Sequence, residues 1–110
     1  VDLWAADIVI DLRRQNKELK LICAVPFEGF DSKWPVDWVK HYKMVRKQAD
    51  WVEVISPSYS PEAYQKRNMW MCRHASRIIA VWDGLPSGTQ NTIDYAKEIG
   101  LAVKIIEVQK

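Results

Sequence analysis

Ser87, Gly88 and Thr89 stand where a short loop gives way to a helical pattern, and the chemistry such a place offers is anion binding. The first N–H groups of a helix have no acceptor within the helix and lie at the positive end of its dipole. Two hydroxyls add donors, and Gly88 lets backbone approach a ligand closely. Asp83 and Gly84 open the same loop, directly after the apolar run Ile78–Trp82. Asp-Gly also reads as an ordinary turn. Residues 63–82 carry no acid but include Lys66, Arg67, Arg73 and Arg77. The planar fork of Arg67 suits a phosphate; a solvated basic face is the alternative reading.

Other chemistry is thinly represented. His41 and His74 have no Cys, Asp or Glu at metal-ligand spacing, so neither a metal nor a cofactor is expected. Asp94 and Glu98 are four apart on a helical pattern and read as its wet side. No G-x-S-x-G elbow and no Walker A pattern occurs, and no catalytic residue is assigned.

The elements that must position these residues follow from periodicity and punctuation. Asp2–Arg14 reads as a helix with Ala5, Ala6, Ile8, Val9 and Leu12 on or near one face. Leu19–Val25 reads as a buried strand, followed by a loop from Pro26 to Pro35. Val36–Ala49 has apolar residues at 38, 42, 45 and 49, one helical face. Trp51–Ile55 is a second strand, closed by Ser56-Pro57-Ser58. Ser60 as N-cap, Pro61 at the first helical position and Glu62 at the positive dipole end start a helix that runs to about His74. Ile78–Trp82 is a third strand, Thr89–Ile99 a helix that Gly100 ends, and Ala102–Ile106 a fourth strand. Strands alternate with helices and read as continuous apolar runs. The expectation is an α/β fold with a mostly parallel sheet covered on two faces. Ligands of such sheets bind beyond the carboxyl ends of the strands, where Asp83–Thr89 falls.

Composition fits that reading. The chain has 110 residues, 48% hydrophobic and 27% charged, enough for a single domain spanning 1–110. A net charge of +2 does not argue for nucleic acid. Cys23 and Cys72 lie in apolar patterns and read as buried free thiols. No apolar run approaches a bilayer span and no signal-peptide pattern is recognised in these residues, so no membrane partner and a cytoplasmic location are expected. Six tryptophans are scattered along the chain. They read as core and interface bulk, with ligand stacking by one of them as the alternative.

Asp2-Leu3-Trp4-Ala5-Ala6, Pro26-Phe27, Arg67-Asn68, and "IIAVWDG" followed by "SGTQNTIDYAKEIG" together resemble the YpsA-like family of the SLOG superfamily. Its relatives include the LOG phosphoribohydrolases, molybdenum cofactor carrier proteins and the DNA-processing protein DprA. The resemblance covers nearly the whole chain. It implies a three-layer α/β/α Rossmann-like sandwich. Val1-Asp2 resembles the tail of the family's first Gly-rich loop, so that loop and the strand before it are expected to be absent. The edge so exposed would pair with another chain, which makes a homo-oligomer an expected alternative. The resemblance also implies that Arg67 and Asn68 lie near the ligand and that Ser87, Gly88 and Thr89 form the second phosphate loop. In the LOG motif a Glu tied to N-glycoside hydrolysis falls where Thr92 stands here, and Thr has no carboxylate. The expected partner is therefore a nucleotide or nucleotide-derived small molecule that is bound. Hydrolysis of a nucleotide N-glycoside is the alternative, and a DprA-like DNA-handling or scaffold role a further one.

Overall fold

The computed structural model describes residues 2–108, and within them four helices alternate with four strands. These are α1 (Asp2–Gln15), β1 (Ile22–Phe27), α2 (Val36–Gln48), β2 (Trp51–Ser56), α3 (Ala63–Arg73), β3 (Arg77–Trp82), α4 (Gly88–Glu98) and β4 (Ala102–Glu107). This is the α/β organisation of Rossmann-like folds. Val1, which the sequence reading joins to Asp2 as a loop tail, lies outside the described residues. The chain divides into two compact units, one ending at Tyr59 and the other beginning at Ser60.

In the first unit β1 and β2 pair in parallel, with Ile22 opposite Trp51 and Val25 opposite Val54. The strand runs on through Pro26 to Phe27, two residues further than its apolar run suggests. Pro26 has no N–H to donate, and the register steps from Val25 to Phe27 across it. Its ring is buried, so apolar contact holds an extended residue that sequence alone assigns to a loop. Helices α1 and α2 pack on each other. Ala6 and Ile10 of α1, Leu21 before β1 and Val45 of α2 form the core, with Leu3, Val9, Cys23 and Ala49 around it.

The second unit repeats the plan. β3 and β4 pair in parallel from Arg77 opposite Ala102 to Trp82 opposite Glu107. Helix α4 buries Ile93 and Ala96 and packs on β3, β4 and α3. Burial of an Ile side chain is worth about 1.5–3 kcal/mol, so Ile93 is a main anchor of the helix. Regular α3 begins at Ala63, three residues after the expected cap. Ser60 contributes its carbonyl rather than its hydroxyl, accepting from the Ala63 N–H at 3.1 Å, and no side chain caps the helix. The residues from Ser60 to Glu62 form a lead-in turn.

All pairing among the described strands is parallel, and it forms two two-stranded sheets. The continuous apolar runs do not translate into continuous burial. Ile22 is 54% exposed, and Trp51 and Ile79 are each 60% exposed. Side chains alternate across a strand, so Ala80 is buried while its neighbour Ile79 points the other way and is not.

Candidate functional site

The loop between β3 and α4 is built by short-range bonds. Asp83 Oδ1 accepts from the Leu85 N–H at 3.0 Å, an Asx turn. The Trp82 indole N–H donates to the Leu85 carbonyl at 2.8 Å and closes the turn from the strand side. Gly84 has φ +84°, the left-handed region where a side chain is strained. Ser87 is extended, with φ −170° and ψ 176°, and its Oγ accepts from the Gln90 N–H at 3.3 Å. Ser87 is thus the N-cap of α4, and its carbonyl takes the first helical bond, from Asn91 at 3.1 Å. Capping consumes the Gln90 donor. The N–H groups of Gly88 and Thr89 find no acceptor among the described residues. They follow a loop whose residues Asp83–Gly88 are all exposed, with Thr89 itself half-buried.

Arg67 and Asn68 are half-buried on α3, and Arg67 Nε donates to Asn68 Oδ1 at 2.8 Å. That bond braces the guanidinium against the neighbouring amide. Helix α3 meets α4 through Cys72, whose Sγ lies 4.0 Å from the Thr92 carbonyl oxygen, and through Arg73, whose Nε donates to the Tyr95 hydroxyl at 2.7 Å. Thr92 turns its hydroxyl back along the helix, donating to the Gly88 carbonyl at 3.0 Å. The structure therefore gathers Asp83, Gly84, Ser87, Gly88 and Thr89 in one turn, and couples Arg67 to Asn68 on the adjacent helix. Asp83 is the one carboxylate in that turn. Its bond to Leu85 gives it a structural task, and its charge opposes an anion bound close by.

Sequence spacing misses several polar pairs in the first unit. At the carboxyl end of β1, both terminal nitrogens of Arg46 reach the Glu28 carboxylate, and Arg46 also donates to the Tyr42 hydroxyl at 3.1 Å. The hydrogen bond from Arg46 holds the Glu28 carboxyl below its ordinary pKa. Burial pushes the Tyr42 phenol up. The i,i+4 spacing of Tyr42 and Arg46 is a sequence signal for this contact; Glu28 carries none. His41 meets Asp7 from α1, with Nε2 2.9 Å from each carboxylate oxygen. Asp50 binds the Leu21 N–H at 2.8 Å and Arg13 at 2.7 Å. No group of three His, Cys, Asp or Glu side chains gathers as a metal site among the described residues. Burial raises the thiol pKa of Cys23 and Cys72, which suits packing rather than nucleophilic work. No described helix is long and apolar enough to cross a membrane.

Comparison with known proteins adds ancestry to this geometry. The profile of the YspA SLOG family (YpsA) matches residues 1–108. The uncharacterized SPbeta prophage-derived protein YoqJ of Bacillus subtilis is 35% identical, over 86% of this chain and 61% of its own length. UPF0398 proteins of Bacillus cereus and Bacillus thuringiensis are 29% identical, over 91% of this chain and 56% of theirs. The chain thus spans about three-fifths of the length of these relatives.

Proposed function

The chain belongs to the YspA SLOG family, and from that premise we propose that it binds a nucleotide or nucleotide-derived ligand by its phosphate. The observation that carries the reading is the pair of open N–H groups at Gly88 and Thr89, set by the Ser87 cap at the positive end of α4. Arg67 supplies the counter-charge and Asn68 orients phosphate or sugar. The contacts Cys72–Thr92 and Arg73–Tyr95 advance together along α3 and α4. Arg67 precedes Cys72 by about 7.5 Å of helix rise and Gly88 precedes Thr92 by about 6 Å, which supports a shared level for the two groups. The unbroken family match supports reading both units as parts of one domain. The same reading puts its work in the cytoplasm, where free thiols such as Cys23 and Cys72 persist.

Arg67→Ala is expected to weaken nucleotide binding more than tenfold, about 1.4 kcal/mol, in calorimetry. Unchanged affinity removes Arg67 from the site. Hydrolysis of an N-glycoside is the competing chemistry. It requires an acid, and Asp83 is the carboxylate nearest the turn. Release of free base from AMP in a wild-type incubation, lost in Asp83→Asn, would establish that alternative.

A further inference from the structure

Helix α1 is apolar on two sides. One side builds the core of the first unit, where Ala6 and Ile10 are buried and Leu3 and Val9 pack against them. The other side carries Trp4, Ile8 and Leu12, which are 58%, 60% and 48% exposed. Their i, i+4, i+8 spacing confines them to about 80° of the helix circumference and about 12 Å of its length. A surface helix with one buried face ordinarily turns a polar face to water. This one shows a continuous apolar ridge there, and exposed apolar surface of that kind marks a contact site. Trp38 lies against Trp4 at 6.4 Å between ring centroids, so the bulkiest member of the ridge is already supported from one side.

The ridge is nearly symmetric about Ile8. Turned end for end, it sets Trp4 against Leu12 of a second copy and Ile8 against its own counterpart. Charge selects the same orientation. Asp2 lies in the first turn of α1, and Arg13 and Arg14 lie in the last. Antiparallel helices place each acidic end beside a basic one and oppose their dipoles, whereas parallel helices place like beside like.

We propose that the exposed ridge of α1 is the contact surface of a homodimer, in which two copies pair antiparallel about a two-fold axis at Ile8. Three large side chains per copy make a seam smaller than the roughly 800 Å² per partner of a standard interface, so the dimer is reversible. The pairing uses neither Arg67 nor the β3–α4 loop, so it stands apart from the phosphate reading. Sedimentation equilibrium of the full chain under reducing conditions tests it. The expected result is a monomer–dimer equilibrium at chain concentrations up to millimolar. Ile8→Lys sets two like charges face to face at the axis and is expected to weaken dimerisation at least tenfold; Ile8→Glu does the same. An equimolar mixture of the two variants recovers association, because at the two-fold axis a residue meets its own counterpart. Ile8 is exposed and outside the core, so both variants keep the fold, which far-ultraviolet circular dichroism checks. A wild-type monomer at every concentration up to millimolar overturns the proposal and leaves the ridge to a different protein. So does a dimer that Ile8→Lys leaves intact, which moves the interface to another surface such as a strand edge. A mixture of the variants that fails to associate overturns the antiparallel arrangement.

Discussion

Asp50 shows how one side chain ties distant segments of the first unit. Its Oδ2 accepts from the Leu21 N–H and from Arg13, while its own N–H donates to the Leu21 carbonyl at 2.9 Å. The Leu21 N–H first, and then Arg13, hold its carboxyl below the ordinary pKa. The folded value lies under the unfolded one of about 3.9. The resulting stability is therefore present above that pH and is lost as pH falls through the folded value. Asp50→Asn is expected to lower the urea midpoint at neutral pH, with the two proteins converging in acid. A difference that persists unchanged at pH 2 would contradict this account. The carboxylate is exposed, so the effect is modest. Sequence places Asp50 only between a helix and a strand; its partners lie 29 and 37 residues away.

At the scale of the element, the ends of α4 carry the argument. Its start presents donors, and its stop is a Schellman turn. The Gly100 N–H donates to Lys97 O at 3.1 Å and the Leu101 N–H to Ala96 O at 2.9 Å. Gly100 sits at φ +83° with open space around the position of a Cβ, so only backbone strain opposes a side chain there. Gly100→Ala should cost about 1–2 kcal/mol by chemical denaturation; a neutral result would mean that the turn relaxes. Gly100 as a stop was legible because only local chain geometry demands it. The start of α3 was less so. Ser60-Pro61-Glu62 matches a cap pattern, yet the chain makes a turn there before the helix, a choice set by packing of the buried Ala63. Likewise Pro26 reads as a strand breaker, and burial in the first unit holds it within β1.

For the molecule as a whole, charge and aromatic content set the expectations. A net charge of +2 supplies few of the phosphate contacts that non-specific DNA affinity requires. No gel shift of duplex DNA is expected at about 0.15 M salt, near the physiological ionic strength; a salt-resistant shift would favour the DNA-handling alternative. The tryptophans look scattered along the sequence, yet Trp34 and Trp38 share the walls of one cleft and Trp4 leans on Trp38. No periodic stripe announces that grouping, because it joins α1 to the loop before α2 and to α2 itself.

The alternation of helices and strands, the loop chemistry at Asp83–Thr89 and the family likeness were all written in local pattern. Each depends on residues within a few positions of one another, or on short motifs in fixed order. The pairing of Asp7 with His41, of Glu28 with Arg46 and of Arg13 with Asp50 spans 34, 18 and 37 residues. So does the exposure of Ile22, Trp51 and Ile79 depend on which side of a strand a helix covers. These outcomes belonged to the tertiary structure alone, because packing decides which distant groups meet and which faces stay wet, and no local preference encodes that choice.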